Sequence, residues 1–352
     1  MAGLRRMELL ALALVGVFTL AAATAHFLGW PALLAFLLAT VALAGLAWIV
    51  SFATEQVGER FGPSVTGVLQ STLGNLPELF VVLFALRAGQ TVVAQTSIIG
   101  SIFANALLVL GLALVAGCWR AEDGLMRFRP RIANDTATLL LLAVFIIVLL
   151  GIGSHSPGHI REHVDAISLV GALCLLGVYG RWLYSYLRTG RAAEVGGGRA
   201  RLPMAFALVL LALSGVGAAF VSDWFVSALE PTIDQLNLTA AFAGIVIVAI
   251  AGNAVENVAG IVLAWKGQAD LAISVVKNSI AQIAAMLFPA LVLISFAFSN
   301  HLTFELEPLF AAALALTALA VWQVSGDGEA SEFEGWALVA TYVALATLTF
   351  FD

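Results

Sequence analysis

Eleven apolar stretches, each long enough to cross a bilayer, leave this chain few ways to fold. They run over 8–27, 31–52, 64–87, 91–117, 133–152, 164–187, 204–222, 237–264, 270–297, 305–324 and 334–351. A helical span needs about 20 apolar residues. Within hydrocarbon the backbone must satisfy its own hydrogen bonds, which a helix does turn by turn. Between the stretches no polar segment is long enough for a soluble domain. Only 11% of residues are charged and 61% are hydrophobic, where a soluble domain carries about 25% charge. The sequence therefore predicts an all-α integral membrane protein of about eleven spans, with the lipid bilayer as its surroundings and no nucleic-acid partner. Cys118 and Cys174 both lie near apolar stretches and suggest no disulfide or metal framework.

Charge placement orients the bundle. With the N-terminus inside, the inner segments hold Arg5, Arg6, Arg60, Arg120, Arg127, Arg129, Arg131, Arg181, Arg188, Arg191, Arg199, Arg201 and Lys266. The outer segments hold only Arg87 and Arg161, and carry acids instead: Asp223, Glu230 and Asp234 in one loop, Glu305 and Glu307 in another. Eleven spans then put the C-terminus outside, in a membrane of the bacterial inner type. Arg5-Arg6, an apolar run and Ala23-Thr24-Ala25 also resemble a signal peptide with its cleavage site. The stretch is read as an ordinary first helix, and either reading leaves the other ten spans oriented the same way.

The chain repeats itself. Gly74-Asn75-Leu76-Pro77-Glu78 recurs as Gly252-Asn253-Ala254-Val255-Glu256, 178 residues later. At the same offset Arg87-Ala88-Gly89-Gln90 falls on Trp265-Lys266-Gly267-Gln268, Gly100 on Asn278 and Ser101 on Ser279. The expected organisation is an extra N-terminal helix (1–29), a five-helix repeat (30–187, with its core hairpin at 64–117), a cytoplasmic linker (188–203) and a second repeat (204–352, hairpin 237–297). Five is odd, so the second repeat is inverted relative to the first. Inverted repeats with broken polar helices near the midplane are the mark of secondary transporters.

Each hairpin carries polar stripes. Ser71, Asn75 and Glu78 share one helical face; so do Asn253, Glu256, Asn257 and Gly260. Ser97, Ser101 and Asn105 recur every four residues, as do Ser274, Asn278 and Gln282, with Ser279 beside them. Singly, a Ser or Asn here reads as interhelical glue. A carboxylate at a helix centre costs roughly 2.5–3.5 kcal/mol or more, and two at matching places read as functional. Pro77 removes an N–H and so frees the Leu73 carbonyl, while Gly74 and Gly252 loosen the backbone one turn before each acid. Carbonyls, amide oxygens and carboxylates make an all-oxygen cage that suits Ca²⁺ or Na⁺. Zinc does not fit, because no cysteine is near and the five histidines fall in loops or span ends. Buried paired acids also hold protons more tightly, so cation and proton compete for one site.

These residues resemble a known family. Gly74-Asn75-x-x-Glu78-Leu79, with Gly100-Ser101 through Asn105-Ala106-Leu107-Leu108-Val109-Leu110-Gly111, looks like the first α-repeat of the Ca²⁺/H⁺ antiporters, the cation/proton exchanger branch of the Ca²⁺/cation antiporter superfamily. Gly252-Asn253-Ala254-x-Glu256, with Ser279-x-x-Gln282 and Pro289, looks like the second. The resemblance covers nearly the whole chain. It implies that Glu78 and Glu256 bind the metal ion and the proton, with Asn75, Asn253, Ser101, Asn105, Ser279 and Gln282 around them. It departs at Pro77, where the family has a small residue or Thr, at Asn257, where it has His, and at Asn278, where it has Gly. Those departures bear on which ion is carried.

Other classes are weaker. An intramembrane enzyme needs a nucleophile–base pair or a metal triad at membrane depth, and no histidine lies there. A retinal-type receptor with Lys277 as its Schiff base leaves the repeat unexplained. The expectation is an antiporter without resident cofactor, exchanging Ca²⁺, or else Na⁺ or K⁺, for H⁺. Lys277, about 10 Å into the ninth span at 1.5 Å per residue, is expected on the flank of the polar stripe, its stem snorkelling to the cytoplasmic surface. Its competing role is to reach Glu256 and modulate ion preference, as neighbouring Asn257 and Asn278 could also do.

Overall fold

A computed structural model describes residues 4–58, 60–61, 69, 72–154, 162–193 and 201–351. The part of the expected third span before residue 72, with Ser71, lies largely outside them, as do His155, His159 and Arg161.

Twelve helices follow in order among the described residues: α1 Arg6–Phe27, α2 Ala32–Gly58, α3 Leu76–Arg87, α4 Thr91–Arg120, α5 Pro130–Ser154, α6 Val164–Ala193, α7 Met204–Leu236, α8 Ala240–Gly252, α9 Ala254–Trp265, α10 Ala269–Ser295, α11 Pro308–Ser325 and α12 Glu332–Phe351. Nine of them are long and apolar enough to cross a membrane, and the pair α8 and α9, bent by 59°, has together the length and apolarity of one more. The protein is an integral membrane protein. The eleventh expected span is the one whose first part is not described.

One expectation is corrected. The acidic segment 223–236, read as an outer loop, is the continuation of α7, which runs 33 residues through Pro231 and ends at Asn237 in the left-handed conformation, φ 52°. Its polar residues simply extend the helix beyond the apolar stretch. Beside the helices runs one short ribbon: β1 (Leu125–Arg127) pairs antiparallel with β2 (Glu329–Ser331), Met126 opposite Ala330. Arg127 bonds Asp123 at 2.5 Å, and that bond holds the exposed Asp123 carboxyl below its ordinary range.

The chain forms two compact units, and neither is one half of the sequence. Unit 1 takes residues 1–88, 180–238 and 251–255. Here α2 and α7 pack along their length, with Phe36 and Phe225 rings 4.9 Å apart, and α1 lies on α2 where Gly45 leaves room for Val15. At one end Arg201 bonds Glu8 at 2.9 Å, Gln56 Oε1 accepts from the Arg201 and Leu202 amides, and Arg60 donates to the Leu202 carbonyl. The segment entering α7 is thus fastened to α1 and α2.

Unit 2 takes residues 89–179, 239–250 and 256–352. Its centre is α4, most of it buried, packed against α8, α10 and α12. Glycines set the closest approaches. A Cβ on Gly100 would lie 2.6 Å from the Ile245 carbonyl oxygen, and one on Gly335 would lie 2.7 Å from that of Gly111. Small residues that let backbones touch replace the missing hydrophobic drive between helices in lipid.

The repeat seen in the sequence is also a repeat of local geometry. α3 and α9 are each twelve residues long and each follows an Asn in a turn, Asn75 or Asn253. Gly89 and Gly267 both take positive φ, 79° and 74°, a conformation natural to glycine. Gln90 and Gln268 follow with nearly equal dihedrals before α4 and α10 start. Each of those helices then widens into a π-turn, Ala104–Val109 and Ile283–Leu287.

Candidate ion-binding site

Unit 1 gathers the first acid with both Gly-Asn pairs. The helix preceding α3 breaks at Asn75, and α3 restarts at Leu76 with Pro77 in its first turn, a position where a missing N–H costs nothing. The Pro77 carbonyl accepts from Ser222 on α7 at 3.5 Å. Glu78 follows in the same turn, only 2% exposed. There the unpaired amides and helix dipole favour a negative charge. Gly252 comes up against it: a Cβ on Gly252 would lie 3.9 Å from Glu78 Cβ. Asn75 and Asn253 are 2% and 3% exposed. Both amide atoms of Asn75 are buried without a hydrogen-bond partner among the described residues. Native proteins leave few such atoms unpaired, and each one needs an explanation. Gly74 is half-buried at the end of the preceding turn.

Unit 2 gathers most of the other expected residues. Ser97, Ser101 and Asn105 are fully buried on α4. Asn105 Nδ2 donates to the Ser101 carbonyl at 2.9 Å, on entry to the π-turn. Such turns in α-helices are frequent at functional sites, because they free carbonyls and re-aim side chains. Ser279 and Gln282 are buried on α10 just before its own π-turn, and Gln282 interacts with the Tyr179 hydroxyl. Asn257 is buried on α9 with its Oδ1 unpartnered among the described residues. Glu256 lies in the first turn of α9, four residues beyond Gly252 along the chain; its side chain is outside what is described. Asn278 is half-buried and bonds Ser274 at 3.3 Å.

Lys277 departs from expectation. It does not snorkel to a surface. It is 2% exposed, and Nζ donates to Ser325 Oγ at 2.5 Å. The Ser325 hydroxyl in turn donates to the Val321 carbonyl. Sequence reasoning missed Ser325, since a serine at the end of an apolar span carries no signal of its own. Of the histidines, His301 pairs with Asp165 at 3.0 Å and His26 stacks on Trp224, both at helix ends.

Within each unit these donors are carboxylate, amide or hydroxyl oxygens, which suit a hard cation. The chain matches the model of the family described as "Sodium/calcium exchanger protein" over residues 31–187 and 206–351. It is 31% identical to a Ca²⁺/H⁺ antiporter of Aphanothece halophytica, over 93% of this chain and 92% of that one. It is 30% identical to the Ca²⁺/H⁺ antiporter ChaA of Bacillus subtilis, over 90% and 92%. Among solved structures it resembles native YfkE with TM-score 0.82 and 27% identity, over 97% of this chain and 100% of that one. It shares its fold with the H⁺/Ca²⁺ exchanger CAX, TM-score 0.74 at 17% identity, over 98% and 92%. By sequence match over both halves of its length and by fold, the chain belongs to the sodium/calcium exchanger protein family.

Proposed function

We propose that this protein is a secondary active antiporter that exchanges Ca²⁺ for protons. The observation that carries the reading is the buried pair Asn75 and Glu78. Glu78 offers a carboxylate at a helix start, and Asn75 offers amide atoms that no described residue satisfies. The repeated Gly-Asn-x-x-Glu motif supplies Glu256 as the second acid. Both glutamates hold the metal ion or protons, never both at full occupancy. Asn75, Asn253, Ser101, Asn105, Ser279 and Gln282 supply neutral oxygens around them. The names of the similar proteins support Ca²⁺ as the ion.

Chemically, the cycle is competition followed by a change of access. Ca²⁺ displaces protons from the two carboxylates on one side; protons displace Ca²⁺ on the other. The two inverted repeats provide the alternation, with the breaks at Asn75 and Asn253 as hinges, loosened by Gly74 and Gly252 and fixed in place by Pro77. The N-terminus lies in the cytoplasm and the C-terminus outside, in a bacterial inner membrane, as the placement of basic residues supports.

The test is flux in reconstituted vesicles under an imposed pH gradient, with Ca²⁺, Na⁺, K⁺ and Mg²⁺ offered separately. The gradient should drive Ca²⁺ and be dissipated by it. Dissipation by Na⁺ or K⁺ without Ca²⁺ would make the protein a monovalent cation/H⁺ antiporter on the same fold.

A further inference from the structure

We infer that Lys277 is a resident cation that sets how tightly the exchange site binds divalent ions, a role that rests on the cation-exchange reading above. The argument is one of level within unit 2. α9, α10 and the π-turn of α4 meet at one point: a Cβ on Gly260 would lie 2.5 Å from Val276 and 3.7 Å from Val109. Lys277 is the next residue after Val276.

The three helices have known directions at that point. α4 leads to the β-ribbon, since Leu125 follows it. α9 leads through the Gly267 turn to the start of α10, which is tied to the ribbon side by Arg129 and Asp270, N to Oδ1 2.7 Å. α10 therefore runs away from the ribbon. Asn105 comes four residues before Val109, Glu256 four before Gly260, and Ser279 and Gln282 three and six after Val276. All four lie on the side away from the ribbon, about 5–9 Å from the meeting point at 1.5 Å per residue. The Lys277 ammonium is anchored on the other side, by Ser325, the last residue of α11 before the ribbon.

A fixed positive charge thus lies to the ribbon side of the oxygen-bearing residues, at least as far from them as the ~5–9 Å that separates them from the meeting point. In an interior of low dielectric constant its effect on an ion is substantial and proportional to the ion's charge. It opposes Ca²⁺ twice as strongly as Na⁺. The bond to Ser325, itself held by Val321, keeps the ammonium from swinging into the site and occupying it.

The valence dependence is what a merely structural lysine would not show. Calorimetric binding of Ca²⁺ and of Na⁺ to the purified protein is compared for wild type, Lys277→Gln, Lys277→Met and Lys277→Arg, with unfolding temperature as the check on folding. Gln keeps a donor for Ser325 without the charge, and Met keeps the length without the donor. Both variants should bind Ca²⁺ on the order of tenfold tighter and Na⁺ about threefold tighter, the square root expected from charge alone. Arg should leave both constants near wild type. Unchanged or weaker Ca²⁺ binding in the folded neutral variants overturns the inference, and so does an equal factor for the two ions. Absence of Ca²⁺ binding in wild type and variants alike overturns the exchange reading itself.

Discussion

Gly252 and Glu78, 174 residues apart in sequence, face each other at van der Waals distance: a Cβ on Gly252 would sit 3.9 Å from Glu78 Cβ. The glycine therefore gives the acid clearance as well as a pliable backbone. A methyl group fits at that distance and a branched side chain does not. Gly252→Ala should fold and transport with a stability change under about 1 kcal/mol, whereas Gly252→Leu should cost about 1–3 kcal/mol by overpacking and abolish transport. Thermal unfolding in detergent alongside vesicle flux checks both. An inactive but stable Gly252→Ala would shift the role of this glycine from clearance to backbone freedom.

Asn75 should show function and stability pulling apart. Its amide is buried and unpartnered among the described residues, and a buried unsatisfied polar group costs about 1–3 kcal/mol. Asn75→Leu, close in volume, should raise stability by roughly 1 kcal/mol while weakening apparent Ca²⁺ affinity about tenfold, the loss of one ligand dipole. Denaturant unfolding and the Ca²⁺ dependence of flux measure the two. A destabilised Asn75→Leu would mean that the amide has a structural partner after all.

Gly100 holds α4 against a third π-turn, Ala243–Val248 of α8. A Cβ there meets Ile245 backbone, which cannot rotate away. Gly100→Ala should therefore separate the two helices and lower stability by about 1–3 kcal/mol. Since Ser97, Ser101 and Asn105 ride on the same helix, flux should fall with it. Gly177, whose Cβ would meet nothing within 4 Å among the described residues, is the control, and Gly177→Ala should lower neither stability nor flux.

These residues also show what the sequence made legible. Gly-Asn-x-x-Glu, the Gly-Gln turn and the Ser/Asn stripes are local, and their repetition at one offset matches the paired turns at Asn75 and Asn253 and at Gly89 and Gly267. The three π-turns left no such trace. Ala104–Val109, Ala243–Val248 and Ile283–Leu287 are apolar but for Asn105, and no shared pattern in them marks the turn. The Lys277–Ser325 bond joins residues 48 apart, and only the depth of each in its own helix could have suggested it. The ribbon escaped notice because three-residue strands carry no period. The end of α7 was misjudged because 223–236 was read by polarity, and a helix that leaves the membrane keeps turning.

The central claim is that two glutamates serve both the metal ion and the proton. It is tested most directly by Ca²⁺ uptake into vesicles under an imposed pH gradient, with wild type, Glu78→Gln and Glu256→Gln reconstituted at equal amounts. Gln keeps the volume and one oxygen ligand but carries neither charge nor proton. Wild type should take up Ca²⁺ and collapse the gradient, with apparent affinity falling as the Ca²⁺-facing side is acidified. Each variant should be folded, by unfolding temperature, and should move neither ion. Proton-driven Ca²⁺ uptake surviving in either variant would contradict the account.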